Sequence, residues 1–493
     1  MKSIFSITAV SLALLMGTSA GQTGSMEPDR NPERRGIRRL TDDEIKKLST
    51  PRTKPKKFQL DERKSIFVTD VEILRHFTFD ELMDRLVRDS GSRTLTKERL
   101  FQQWWDTANL QATFNFPYGG PNCDAKALNT FPYACPRDEG QQVMFNPFGP
   151  PTPATYTAIA LSNRFDLTTP PEKSGTDCGE YRIVFERNSG ATDNLNRNLI
   201  IFEAVLPNPH PYKHSLKGCR PVQDFWEDLS DPRLSVDIRA KRLHDFYYHG
   251  LPKVGVQPVV TAKHYGDATK SAQGQVRTNQ FMSGSASHGP WLLRQFHVVK
   301  AAGTLKFLPV PVATNPPASL FNETINQPLG KSFRQDFLSQ VPVLADQSKC
   351  DPQFRVDCIS METASQYDDG ESEEGGPGAT VPPPMDFANA FRISPSFRAA
   401  IQSNIPAGST LTPDDIVSRA QTQTCAGCHH ISVNANLGGG LVWPTTLPPT
   451  FTHEQLAPPF DTTGPDGPRY QISDALKNVF LPFRKHVIET FLQ

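Results

Sequence analysis

Near the end of the 493-residue chain lies Thr424-Cys425-Ala426-Gly427-Cys428-His429-His430. Two thiols separated by two residues, with an imidazole directly after the second, allow three kinds of chemistry. The thiols can add to vinyl groups on neighbouring pyrroles of one haem while the imidazole turns onto its iron, the use this spacing has in exported chains. They can instead close a short disulfide, with His429 and His430 left as surface residues. They can also join a Cys/His metal site, although zinc needs further soft ligands that the vicinity lacks. In the haem reading Cys425 and Cys428 carry the thioethers and His429 is the proximal iron ligand.

Those groups need elements to hold them. Thr412 can cap a helix that begins with Pro413 and runs through Ile416, Val417 and Ala420 toward Cys425. Ser473 can cap a second helix from Asp474 to about Leu492, with Leu476, Val479, Phe480, Phe483, Val487, Ile488 and Phe491 on one face. Pro482 falls inside that run and should kink or shorten it.

A helix feeding CxxCH and a C-terminal helix in that order resemble class I cytochromes c, over roughly the last fifth of the chain. The resemblance implies one covalent haem c, a final helix packed across the first over one haem edge, and a methionine downstream of the motif as sixth ligand. Here the chain departs from the family, because its last methionine is Met385, upstream of the motif. His453, 24 residues beyond His429 in a Pro-rich loop, takes the place of the distal ligand; His486, Met385, His249 and His288 are the alternatives, and an open five-coordinate iron is the last. Gly438-Gly439-Gly440 and Trp443 read equally as a close approach to a porphyrin or as an ordinary turn and a core tryptophan.

The compartment follows from the other end. Lys2, an apolar run from Ile4 to Met16 and the small residues Thr18-Ser19-Ala20 form a secretory leader, so residues 1–20 are expected to be removed. The run is shorter than the ~20 residues of a membrane span, and a periplasmic or secreted protein with no span after cleavage is expected. Six cysteines remain outside the motif, an even set in an exported chain. Sequence neighbours pair Cys123 with Cys135, Cys178 with Cys219, and Cys350 with Cys358, as loop staples.

Residues 21–65 are expected to form a polar, flexible arm, with one short helix capped by Thr41 and the basic cluster Arg34, Arg35, Arg38 and Arg39. Over 66–366 the pattern is α+β. Capping threonines Thr78 and Thr96 open helices, the second bearing Trp104 and Trp105 in a stripe that reads as core. Strands are expected over 157–161, 181–186, 199–206, 257–262, 275–282, 291–300 and 304–312, with helices over 221–229, 237–248 and 333–344. Clustered strands without regular strand-helix alternation predict a mainly antiparallel sheet with flanking helices, followed by a small helical module. Ile183, Phe185, Ile200 and Phe202 alternate with Val184 and Ile201, so the sheet should be covered on both faces. Residues 367–386, rich in Asp, Glu, Gly and Pro, read as an exposed linker, leaving 387–493 as the haem module.

Lys plus Arg equals Asp plus Glu at 52 each, so no overall field draws the chain to nucleic acid or an anionic membrane. No phosphate-binding glycine loop or Ser-His-Asp order stands out. Three functions remain open: electron transfer with a redox partner protein, a haem enzyme acting on a small molecule at an open iron, and a secreted binding protein whose CxxC is a staple. Axial ligation separates the first two.

Overall fold

The computed structural model describes residues 58–110, 128–131, 133–169, 175–210, 215–266, 274–282, 291–301, 303–325, 327–346, 348, 351–374, 384–447, 452–462 and 466–493, with the backbone of Arg34 and Arg35. The leader, the helix expected after Thr41, Cys123, His288 and Cys350 lie outside these residues. An eight-stranded antiparallel sheet organises the rest. Its strands are β1 (Phe67–Val68), β2 (Tyr156–Arg164), β3 (Asp177–Arg187), β4 (Asn198–Pro207), β5 (Gln275–Gln280), β6 (Trp291–Ala301), β7 (Thr304–Val310) and β8 (Glu371–Glu374). The order runs β1-β2-β3-β4-β5-β6, and the free edge of β6 pairs with β8 over Trp291 to Arg294 and with β7 over Gln295 to Ala301.

One face of the sheet carries the aromatic core. Thr78 caps α1 (Phe79–Ser90) by accepting from the Glu81 N–H, and Thr96 caps α2 (Lys97–Asp106) in the same way from Arg99. Trp104 of α2 stacks on Phe307 at 4.4 Å and meets Phe296 and Phe202 edge-on at 5.7 and 6.1 Å. Each such buried ring contributes about 1.5–3 kcal/mol. The tryptophan pair is therefore core, as its helical spacing predicts. Helices α3 (Arg220–Asp228) and α4 (Val236–His249) close the flank, with Trp226 and Phe246 against Tyr181. Cys178 and Cys219 form the expected disulfide between β3 and the start of α3, and Cys135 and Cys358 are also disulfide-bonded.

The C-terminal part is helical: α5 (Pro328–Leu338) leads to α6 (Phe387–Phe391), α7 (Pro395–Asn404), α8 (Pro413–Gln421) and α9 (Leu481–Leu492). It covers the second face of the sheet, so both faces are buried as the strand composition requires. The expected kink at Pro482 takes the form of a π-helical stretch over Leu476–Phe480, directly before α9. Proline has no N–H to give the preceding turn, and the widened turn absorbs the loss. Helix α9 docks on the sheet body, with Phe491 on Phe165 at 4.6 Å and Lys485 paired with Glu62 at 3.3 Å.

Four local expectations are corrected. Residues 367–374 are not a linker: Asp368, Asp369, Glu371, Ser372 and Glu374 are buried, and β8 completes the sheet. The charges are matched from far away in sequence. Arg294, directly opposite Glu371, donates to it at 2.6 Å, and Asp368 accepts from the Asn315 N–H and from Thr363. The arm ends before residue 65, since Asp61 caps a helical turn over Glu62–Ser65 whose Ser65 bonds Ser230. Residues 257–262 form no strand; Pro258 lacks a donor, and the Val260 N–H bonds the Tyr247 carbonyl. The helix expected over 333–344 breaks into α5 and a separate turn, Val341–Ala345, in which Pro342 can only stand at the start.

Candidate functional site

Local sequence explains how the Cys425 turn is aimed. Thr412 and Asp415 form a reciprocal capping box, and Pro413 fills the first position of α8. Arg419, fully buried, donates to the carbonyls of Leu437 and Leu344 at 2.7 and 2.8 Å, locking α8 to the loop that follows. The helix then passes into a tight turn in which Thr424 Oγ1 donates to the Gln421 carbonyl and accepts from the Gly427 N–H, both at 2.9 Å. Only glycine fits at 427, because a Cβ there would stand 1.8 Å from the Gln421 carbonyl oxygen. A π-helical turn over Gly427–Ile431 presents His429.

This turn sits on the sheet. The Ala426 N–H donates to Ser372 Oγ at 2.9 Å, and His430 Nδ1 lies 2.7 Å from Glu374. Ser372 and Glu374 alternate on β8, so both point to the same face. Directly opposite them on β6 are Leu293 and Trp291. Trp291, fully buried, stacks on the His429 ring with centroids 5.0 Å apart.

His453 arrives from a short hairpin, β9 (Glu454–Gln455) paired with β10 (Gln471–Ile472). Its Nδ1 is 2.9 Å from Ser473 Oγ, which also accepts from the Leu476 N–H and so caps the last helical segment. With Nδ1–H donating to Ser473, Nε2 keeps its lone pair, the arrangement in which a ligating histidine is held by a second hydrogen bond. Nε2 lies 3.7 Å from Cys428 Sγ, and the His429 and His453 ring centroids are 5.0 Å apart. Burial, followed by the charges of His429, Arg484, Arg164 and Arg182, holds His453 well below its ordinary pKa, so the ring is neutral.

Cys425, Cys428, His429 and His453 therefore line one cleft, which holds about 140 Å³, below the ~300 Å³ at which ligand pockets ordinarily start. Phe67, Val184, Ile201, Leu293, Leu476 and Phe480 form its apolar lining. Neither Cys425 nor Cys428 is in a disulfide. Burial raises the Cys425 thiol above its ordinary pKa, with Arg277 opposing. Among the described residues no three His, Cys, Asp or Glu side chains converge as a metal-holding group.

The other suggested ligands lie elsewhere. Met385 is buried beside a different cavity, His486 packs on Phe354 at 5.0 Å, and His249 is exposed at the end of α4. Gly438 to Gly440 all have positive φ and form a turn, with Gly438 close against Leu411 and Asp415. Trp443 is a core residue whose Nε1–H donates to the Cys428 carbonyl at 3.3 Å.

Sequence reasoning missed the far wall. It is the second face of the sheet: Ser162 and Arg164 from β2, Arg182 and Val184 from β3, Ile201 and Glu203 from β4, Arg277 and Asn279 from β5. The period-two placement of Arg182, Glu203 and Arg277 within otherwise apolar strands was the available signal. Arg182 faces Glu203 across the strands and pairs with it at 3.2 Å; Arg277, one diagonal on, pairs at 3.4 Å. Burial would raise Glu203, but these two guanidinium groups hold it below the usual carboxylate range. Glu454, beside His453, is pushed up to about 7, chiefly by burial. Among the described residues no helix is long and apolar enough to cross a membrane. Comparison with known proteins matches no family model, no curated protein and no solved structure.

Proposed function

We propose that the chain is an exported c-type haem protein that passes electrons through one covalently bound haem. Cys425 and Cys428 hold the macrocycle, His429 is the proximal ligand and His453 the distal one. The carrying observation is that His453, outside the motif in sequence, meets the Cys428 thiol and the His429 ring in a cleft that Cys425 also lines, with its own ring neutral and anchored by Ser473. In chemical type the donors suit the group: two thiols outside any disulfide, two imidazoles, and apolar side chains around them. The space does not yet match the donors: the two imidazoles are in contact at 5.0 Å, His453 Nε2 is 3.7 Å from Cys428 Sγ and the cleft holds about 140 Å³, so the segment carrying His453 must move outward for the group to enter. When bound, the haem would supply a reversible one-electron couple. The protein's own part is to exclude water with Phe480, Leu476 and Leu293, to fix the His453 tautomer through Ser473, and to hold the His429 ring against Trp291.

The partner is a redox protein or a small molecule in an extracytoplasmic compartment, as the leader-like N-terminus supports. A second reading, a haem enzyme, draws support from the charged sheet wall over the cleft, which has the makings of a substrate surface. The stapled binding protein is the least supported, since among the described residues the motif cysteines stand apart from the disulfide-bonded ones.

The test is the absorption spectrum of the full chain after export in a host with the c-type maturation system. A haemochrome band in alkaline pyridine that survives acid-acetone extraction is expected, with low-spin native spectra. A high-spin native spectrum would move the reading to the enzyme, and a colourless protein would end both.

A further inference from the structure

We propose that a second cavity, on the side of β8 away from the motif turn, binds an organic cation: an aryl-alkyl ammonium whose charge meets Asp369 and whose apolar body lies beside Met385. This goes beyond the haem reading and does not rest on it, since none of the four residues assigned to the haem lines this cavity.

The cavity holds about 730 Å³, against about 140 Å³ for the motif cleft, and so falls within the ~300–1,000 Å³ of ordinary ligand sites. Its walls come from stretches around Phe131, Pro317 and Met385 and from β8. Phe131, Pro317, Met385 and Ile393 give it apolar sides. Tyr133 also lines it, and the Tyr133 hydroxyl is buried with no hydrogen-bond partner among the described residues.

The acids follow from the strand period. Side chains alternate along a strand; Ser372 and Glu374 of β8 face the motif turn, so Glu371 and Glu373 face the other way. Asp369 continues that set, and the cavity is lined by Asp369, Glu371 and Glu373 but not by Ser372 or Glu374. The three carboxyls are not equivalent. Glu371 is committed, with Oε1 accepting from Arg294 Nε and Oε2 from the Ala134 N–H, both at 2.6 Å. Asp369 is buried at 8 % exposure, yet among the described residues it forms no ion pair, and its carboxyl meets backbone N–H groups alone, that of Glu371 at 3.4 Å. Its charged neighbours are the like-charged Glu371 and Glu373, and together with burial they raise it to about 8. Arg392, the cation on the lining, is exposed and donates instead to Asn389 at 3.5 Å. A buried carboxyl without a counter-charge, in a cavity of ligand size, suits a ligand that brings the counter-charge with it.

The geometry also selects the kind of cation. A metal ion needs several oxygens converging on one point, and among the described residues no three acid side chains do so. Alternate residues on a strand stand about 7 Å apart, and the middle one here is already taken by Arg294. An ammonium needs only one or two carboxylate oxygens. Its carbon body then has apolar walls to cover, and Phe131 presents an aromatic ring of the sort that attracts both arenes and cations.

The test is calorimetric titration of the full chain at pH 6, 7 and 8 with tryptamine, which keeps its charge over that range, and with tryptophol, its uncharged hydroxyl analogue. Tryptamine should bind at pH 8 about tenfold or more tightly than tryptophol. Its affinity should rise about tenfold per pH unit up to pH 8, with up to one proton released per ligand bound, because Asp369 must ionise to meet it. The titratable and charged groups that face Asp369 are Glu371, Glu373, Tyr133 and Arg392, with Arg294 behind Glu371, so a variant must assign the slope. Asp369→Asn, checked for folding by its melting curve, should lose the pH dependence and most of the preference for tryptamine. Glu373→Gln should weaken tryptamine severalfold and keep the pH dependence. No heat from tryptamine at pH 8, equal affinity for the two probes, or tryptamine binding untouched by Asp369→Asn overturns the proposal. Calcium chloride is the probe for the other cation class. If calcium displaces tryptamine and raises the melting temperature of the parent but not of Asp369→Asn, the site holds a metal ion and the ammonium assignment fails. Each of these outcomes is read without reference to haem, so the haem reading stands or falls separately.

Discussion

The backbone N–H of Ala426, between the two cysteines, donates to the side chain of Ser372 on the edge strand β8 at 2.9 Å. The strand thus does two jobs, completing the sheet and fixing the height of the thiol-bearing turn above it. Ser372 is fully buried, so Ser372→Ala leaves the Ala426 N–H without an acceptor at a cost of about 1–3 kcal/mol. Denaturant unfolding should register that loss, and Ser372→Thr, which keeps the hydroxyl, should recover most of it.

Gly427→Ala is expected to be more damaging. Its Cβ would lie 1.8 Å from the Gln421 carbonyl oxygen and 2.8 Å from Thr424 Oγ1, and the first of these is backbone that cannot swing aside. Overpacking of this kind costs about 1–3 kcal/mol or more. The variant should melt at a lower temperature and, on the haem reading, emerge from export with less attached haem. A melting temperature equal to the parent's would mean the turn is not as tight as described.

How far the sequence led differs by element. Helices α1, α2 and α8 and the hairpin of β3 and β4 were legible because capping residues and alternation are local signals. The CxxCH motif and His453 stand out in the sequence by residue type and spacing, and the fold brings them to one cleft. Strand β8 was not, because Asp368, Glu371 and Glu374 look solvated until Arg294, Asn315 and His430, distant in sequence, are seen to meet them. The arginine wall was missed for the same reason: its meaning lies in register across β2 to β5, which no single segment encodes.

The disulfide between Cys178 and Cys219 closes a separation of 41 residues. A loop of that length restricts the unfolded chain by about 4 kcal/mol. Replacing both cysteines with alanine should lower unfolding free energy by an amount of that order. The cleft lies on the other side of β3, so on the haem reading the haem content of the surviving folded protein should be unchanged. Equal stability of the pair variant would show that the bridge constrains little.

Stability should also carry a pH signature from Asp369. Burial, then the charge of Glu371, raises this carboxyl to about 8 in the folded state, from an ordinary value of 3.8. The folded protein thus retains a proton that the unfolded chain releases, and this group's contribution declines as pH rises from about 4 to 8, then levels off. Asp369→Asn removes that slope and should stabilise the protein at pH 8 by roughly 3–5 kcal/mol. Denaturant curves for both proteins at pH 5 and pH 8 measure the difference; parallel behaviour would count against a protonated Asp369.

His453 is the residue on which ligation turns. Its ring stays neutral, it reaches Cys428 and His429, and Ser473 holds its Nδ1. On the proposed function, His453→Ala should keep the covalent haem, since the thiols are untouched, yet convert a low-spin spectrum to a high-spin one that binds added imidazole. Ser473→Ala should remain low-spin but hold the ligand less firmly, because Nδ1 and the Leu476 N–H both lose their partner. In that variant a smaller addition of competing cyanide should displace His453 than in the parent. His486→Ala, whose ring packs on Phe354, is the control and should leave the spectrum unchanged. If His453→Ala stays low-spin without added ligand, another side chain closes the iron and the role assigned to His453 is wrong.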